Sequence, residues 1–515
     1  MRFSARLAAS FALCALAAPA LAQNPAESPA TPPSEYEDAR GAPFGAYEAV
    51  AFEILQTPLD AVGGGQAMRI EARLGEDWAA WSAGPEGDYT LVDMRTKRRL
   101  TLPSGETGLE STSLYAEARR RLDIYTGLSR GGQAEMIRFG EAGEFDRTWL
   151  EAAMGLAANE DVLDITETGT GFDASLKGER VFSADYGPSA DGEGPEEESG
   201  ASACDVAPLT GDAAASARTL VRHAAPLHPD IMARLAQDER FPCAFDFLVY
   251  SPESPNGRRE AWVLEEFESR DPVLPSDLTA ALPQAALIGA AGEAALAAVR
   301  AGSEDAAAPD AVSFFETAAD LRSQGDFAGA FLTTTQETHH FGPCPAEAVG
   351  SGRFACQEVR ALTAAGIGDS DFERVLEGTA AVREGDHATA VGRLSAFIDR
   401  EDAAGAAARI LVANELVAWG REGLESRPDL DPAALLSEAI VLDPYAPDAY
   451  WHLARRYLEA GAPHAAWVFF DLGRALPGRD PTPLLAQADA LEQRLAALAP
   501  DWTGQADIGL ESDQQ

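Results

Sequence analysis

The chain has 515 residues, and its 40 Lys and Arg face 83 Asp and Glu, a formal charge of −43. So acidic a balance argues against nucleic acid and against anionic lipid surfaces as partners, because both are held by clustered cations. Hydrophobic residues make up 46% of the chain, enough at this length for two or three domains with buried cores.

The first 22 residues, MRFSARLAASFALCALAAPALA, have the pattern of a secretory signal. Arg2 and Arg6 give a positive start, an apolar run follows, and Ala20-Leu21-Ala22 is a small-x-small cleavage site. Cleavage after Ala22 is expected. Cys14 lies inside the apolar run, upstream of that site, and does not read as a lipidation site. Losing Arg2 and Arg6 leaves 38 basic against 83 acidic residues, or −45. No later stretch reads as a membrane span; residues 284–299 come closest, but they are short and carry Glu293. The signal and the Ala-rich composition predict an exported bacterial protein, located in the periplasm.

Residues 23–43 are rich in Pro, Ala and acid and read as a flexible leader. Residues 44–186 mix patterns. AYEAVAFEIL, AMRIEARLG and YTLVDMRTKRRLTL read as strands, with a hairpin signalled by the punctuation at 84–88. SLYAEARRRLDIYTGL and RTWLEAAMGLAA have helical spacing, and VLDITETGTGFDASLKGERVFSADYG returns to strands. The basic clusters Lys97-Arg98-Arg99 and Arg119-Arg120-Arg121 read as solvated faces.

Residues 187–202, GPSADGEGPEEESGAS, form an acidic surface loop without the oxygen spacing of a calcium site. Beyond it, AAASARTLVRHAA and PDIMARLAQDE read as short helices. FDFLVYS and EAWVLEEFES read as a strand pair joined by the turn SPNGRR. If that pair completes the sheet, residues 44–280 form one α+β domain with an antiparallel sheet. From 285 to 500 the chain is Ala-rich and helical, and 501–515 read as a polar, frayed tail.

Four cysteines remain after the signal: Cys204, Cys243, Cys344 and Cys356. Export to an oxidising compartment favours two disulfides. Three pairings are open, of which Cys204–Cys243 with Cys344–Cys356 is preferred. The chain has no Gly-x-Gly-x-x-Gly, phosphate loop, Gly-x-Ser-x-Gly or His-Glu-x-x-His motif. His339-His340 with Cys344 and Cys356 match no zinc-finger spacing, and oxidation would remove the thiols. His223 and His228 near Cys243 read as surface histidines beside a paired cysteine, not as a nucleophile pair. No catalytic residue, metal or cofactor is expected.

Residues 447–480 carry the most informative pattern. Tyr450 takes a first large position and Leu453-Ala454 the next; Tyr457 closes a helix and Gly461 breaks it. Ala466 and Phe470 lie four apart on a second helix, and Pro477 follows. This stretch resembles a tetratricopeptide (TPR) repeat, a helix–turn–helix recurring every ~34 residues. Residues 413–446 resemble a worn copy in which RPDLDP replaces the small turn. Residues 371–404, with Gly385-Asp386 and Ala390, and residues 311–334, with Gly325-Asp326 and Ala330, resemble further copies. Gly325 and Gly385 lie 60 apart, leaving an insertion beyond one repeat.

The resemblance implies an all-α, TPR-like solenoid of helical hairpins after the α+β domain. It also implies a concave groove, lined by the first helices, that takes a peptide or a partner's helix. Arg421 and Arg455, 34 residues apart, then occupy equivalent places on neighbouring first helices, and Trp451 sits one turn before Arg455. Together they suggest a pocket for a carboxylate or an acidic peptide, unless the arginines pair with nearby acids such as Glu422 and Glu459. The expected function is an exported interaction scaffold or adaptor. The alternative is an envelope hydrolase or a lipid- or lipoprotein-handling protein with its site in the sheet.

Overall fold

The structure is a computed structural model. It describes residues 48–58, 66–82, 87–103, 110–130, 163–176, 178–187, 204, 206–225, 227–251, 254–266, 289–301, 311–341, 362, 365–426, 431–476 and 485–503. The signal, the leader, the helix expected at 147–158, most of the acidic loop, Cys344 and Cys356 lie outside these residues.

Eleven strands form one antiparallel sheet in the order β6-β5-β4-β3-β2-β1-β13-β12-β9-β8-β7. The meander comprises β1 (Glu48–Pro58), β2 (Gln66–Leu74), β3 (Trp78–Ser82), β4 (Tyr89–Asp93), β5 (Arg98–Leu102) and β6 (Glu110–Ser113). It runs straight into α1 (Leu114–Arg130). Next come β7 (Asp164–Glu167), β8 (Gly171–Leu176) and β9 (Glu179–Asp185). A two-stranded ribbon of β10 (Leu209–Thr210) and β11 (Arg240–Phe241) brackets α2 (Gly211–Ala224) and α3 (Pro229–Ala236). The pair β12 (Ala244–Ser251) and β13 (Ser254–Glu266) then closes the sheet.

This pair joins the two parts of the sheet. Strand β13 pairs with β1, from Val50↔Glu266 to Pro58↔Arg258, and β12 pairs with β9. The turn is tighter than SPNGRR suggests: Ser251 pairs directly with Ser254. The ladder instead shifts register between Val249 and Ser251. The stretch opposite includes Pro255, which has no N–H to give, and Gly257, which tolerates a bulge. Strand β3, WAAWS, was not anticipated, because four of its five residues are buried and it shows no alternation.

Period-two alternation decides the faces elsewhere. Phe52, Ile54, Phe172, Phe182, Phe245, Phe247, Trp262 and Leu264 are buried together. Trp262 lies 5.4 Å from Phe245 and 5.7 Å from Phe52, ring centre to ring centre. Cross-strand ion pairs dress the opposite face: Arg69–Glu265 at 3.4 Å, Arg180–Asp246 at 3.7 Å, and Arg259–Asp246. Helix α2 covers the core with Ala213, Ala214, Ala217, Leu220 and Val221, small enough on one side to approach β2 and β3 closely.

The C-terminal half is helical. Its elements are α4 (Gly289–Ala301), α5 (Ala311–Ser323), α6 (Phe327–Phe341), α7 (Ser370–Glu384), α8 (His387–Leu394), α9 (Ala403–Ser426), α10 (Pro432–Leu442), α11 (Pro447–Glu459), α12 (Pro463–Arg474) and α13 (Leu485–Leu498). A last turn, α14, spans Pro500–Thr503. Among the described residues three hairpins, α5–α6, α7–α8 and α11–α12, share one turn. Gly325, Gly385 and Gly461 are left-handed, at φ 81°, 72° and 73°, a conformation glycine adopts without strain. In each, the next residue's N–H closes the helix: Asp326 to Leu321 O, Asp386 to Ala381 O and Ala462 to Tyr457 O, all at 2.9 Å.

The small residues Ala330, Ala390, Ala454 and Ala466 are buried between helices. Tyr457 stacks on Phe469 at 5.7 Å, and Trp451, not Tyr457, packs against Phe470. The Asp-Pro that ends RPDLDP starts a helix: Asp431 caps α10 by accepting from the N–H of Ala433 and Ala434, and Pro432 is its first residue.

The polar tail expected from 501 is corrected at its start. Trp502 is 1% exposed and belongs to the core of the sheet half. A large indole leaves water when a cavity accepts it.

Cys204 and Cys243 are bonded, with Cα atoms 5.7 Å apart across 39 residues of sequence. Closing that loop restricts the unfolded chain and stabilises the fold by about 2–4 kcal/mol. Paired Cys204→Ser and Cys243→Ser substitutions should lower the unfolding free energy by that amount in urea titration. An unchanged midpoint and slope would show that the bridge contributes nothing.

Candidate functional site

The three groove residues have different surroundings. Arg421 is exposed near the C-terminal end of α9. Arg455 is exposed on α11 and pairs with Glu459 one turn on, Nε to Oε1 3.1 Å. This is one of the acid partners weighed from the sequence. Trp451 is only 9% exposed, its ring 5.4 Å from that of Phe470. It supports α11 from behind and does not project as an anchor. Helices α9 and α11 are in contact.

A second site lies where the helices meet the sheet, and it corrects the reading of Lys97-Arg98-Arg99 and of Arg121 as solvated, while Arg120 is exposed as expected. Strands β5 and β6 pair Arg98 with Ser113 and Arg99 with Thr112, and Ser113 leads directly into α1. The ladder therefore sets Lys97-Arg98-Arg99 beside Arg119-Arg120-Arg121. Arg98 is buried, and its guanidinium bonds Asp471 of α12 at 2.6 Å and Ser111 Oγ at 2.8 Å. Lys97, left-handed at φ 53°, donates to the carbonyl of Thr503 at 2.8 Å. Burial lowers the Lys97 pKa, against the opposing pull of Asp77 and Asp93.

Trp502 sits at the centre of this seam. The Arg121 guanidinium lies 3.8 Å over its ring, and the His223 ring is 4.1 Å away, centre to centre. His223 and His228 are both buried, not on the surface as expected. Helix α2 turns His223 under α14, and His228 caps α3 by accepting from the Asp230 N–H. Cys243 is held in the disulfide, so no thiol–histidine pair forms. On the far side of α12, Glu492 accepts from Trp467 Nε1 and from Arg474, both at 2.9 Å, and fastens α13.

Between β5, β6, α1 and the α11–α12 turn opens a cleft of about 960 Å³. Arg99, Arg120, Arg121 and His464 reach it, together with the hydroxyl residues Thr101, Ser111 and Thr112. Glu117 pairs with Arg99 at 3.8 Å, and burial raises its pKa. Burial lowers the Arg121 pKa to about 10, opposed by Glu117 and reinforced by Arg222, Arg99 and Arg120. The sequence signal for this site was two tribasic clusters on a very acidic chain. Only the β5–β6 register shows that they converge. Among the described residues no group of three or more His, Cys, Asp or Glu is placed to hold a metal ion. No helix among them is long and apolar enough to cross a membrane.

Burial, then Arg99, Arg121 and Arg222, drive the His223 pKa well below 6.5. The unfolded chain therefore takes up the proton first as pH falls. Stability from neutral His223 is present above about pH 6.5 and is lost progressively below it, by up to about 1.4 kcal/mol per pH unit. Urea denaturation of His223→Gln should show a smaller loss between pH 7.5 and 5.5 than the native chain shows. Equal losses would contradict a neutral, buried His223.

Compared with known proteins, the chain matches no family model, no curated protein and no solved structure.

Proposed function

We propose that the chain is an exported, TPR-containing scaffold or adaptor that binds a peptide or partner protein along its helical array. The observation that carries this reading is the turn built three times, with left-handed glycine at 325, 385 and 461 and the same closing hydrogen bond. A repeated turn fixes a repeated angle between helices, and stacked hairpins then present their first helices side by side. Among the described elements, α9 and α11 are first helices in contact. The second helix of the last hairpin, α12, packs on α1 and β6, which supports the first helices as the partner's side. The Cys204–Cys243 bridge supports export to an oxidising compartment, and we place the protein in the periplasm.

The sheet offers less support to an envelope hydrolase or lipid handler. Its inner face is filled by aromatic rings, and its outer face carries ion pairs. Arg421 and Arg455 remain the candidate contacts of the groove. An exposed pair such as Arg455–Glu459 is worth less than about 1 kcal/mol, so a partner's carboxylate can replace Glu459 at little cost.

The test uses the mature chain as bait in envelope extract, with bound proteins identified and their retention compared with that of Arg421→Ala/Arg455→Ala. Partner capture should fall about tenfold or more while the melting curve is unchanged. Undiminished capture by the double variant would remove the two arginines from the site. No protein partner for the native bait would count against the scaffold reading itself.

A further inference from the structure

The cleft at the seam has features that partner binding along the helices does not use. Arg99, Arg120 and Arg121 converge there on a chain of formal charge −43. Arg120 is exposed, and its charge acts on Glu117, Arg121 and His464. The Nδ1 of His464 is buried in the cleft wall with no hydrogen-bond partner among the described residues.

The cleft also contains the start of α12, which differs from its two counterparts. Asp326 and Asp386 cap α6 and α8, accepting from the N–H of Gly329 at 2.8 Å and of Thr389 at 3.1 Å. The equivalent residue of α12 is Ala462, and no side chain caps that helix. A capping carboxylate is thus missing where two sibling hairpins supply their own, and the cleft there is lined by Arg99, Arg120 and Arg121 together with Glu117 and Asp471, which pair with Arg99 and Arg98. An oxyanion there would meet the positive end of a helix dipole, backbone N–H groups and guanidinium donors together.

We propose that the seam cleft binds a small oxyanion ligand, one carrying phosphate or carboxylate groups, between Arg120, His464 and the start of α12. The charge distribution selects a small ligand over an acidic macromolecule. Screening limits attraction to about 8 Å at physiological salt, so an extended polyanion would cross the repelling surface outside the cleft. The cleft's hydroxyls at Thr101, Ser111 and Thr112 suit further ligand oxygens. A bound anion would bridge α1 to the last hairpin and tighten the seam.

Titration calorimetry on the mature chain, at fixed ionic strength, tests this with pyrophosphate and with citrate. Saturable binding of either is expected, and which one binds identifies phosphate or carboxylate as the preferred group. Arg120→Ala should weaken it about tenfold or more. Ala462→Asp should do the same with the fold intact. It recreates the Asp-Pro start by which Asp431 caps α10, and so supplies the carboxylate internally. No saturable binding of either anion, or binding unchanged in both variants, would overturn the proposal. A simple salt effect would appear as equal heats for native chain and variants, and counts against it too.

Discussion

The burial of Trp502 ties the two halves of this protein together. The indole is carried by the last helical turn yet lies in the core of the sheet half, under Arg121 and against His223. Lys97 holds the carbonyl of the next residue, and Arg98 reaches across to Asp471. Sheet and helices therefore belong to one unit, Ala42–Gln515, despite their different architectures. The same contacts create the cleft, whose floor comes from β5 and β6 and whose far wall is the α11–α12 turn.

Charge is distributed unevenly to suit this arrangement. The outer face of the sheet and the helical surfaces carry acid or exposed ion pairs, which keep the chain soluble and contribute little to stability. Several positive side chains are gathered at the seam. There burial, not pairing, is the largest influence on Lys97, Arg121 and His223. Placing several cations together in a partly desolvated cleft opposes folding unless packing, the paired Asp471 and Glu117, or a bound anion compensates.

Much of the fold was legible in the sequence, wherever a local rule decided it. Strand-like stretches marked β1, β2, β8 and β9, and Gly-Asp at 325 and 385 marked hairpin turns found in left-handed conformation. The joining of β13 to β1 was only one of two possibilities, since strand order depends on non-local pairing. The Pro-Asn-Gly of SPNGRR signals a turn by composition, but pairing across the short connection at 252–253 displaced it into the strand. The tail misled because Trp502 stands between Asp501 and Thr503 in a mostly polar stretch, and its burial depends on a cavity formed by α1 and α2. The basic clusters misled for the same reason: a run of three arginines reads as solvated until the ladder brings another beside it. Trp451 has the spacing of a groove residue, yet its ring is buried against Phe470.

The most direct test of this account is hydrogen exchange, followed by mass spectrometry, on the native chain and on Trp502→Ala. If Trp502 clamps the two halves, its loss should speed exchange in strands β1 and β13 of the sheet and in helix α12 together. Faster exchange confined to residues 485–503 would show that the C-terminal turn is only an attached end, and that the halves stand without it.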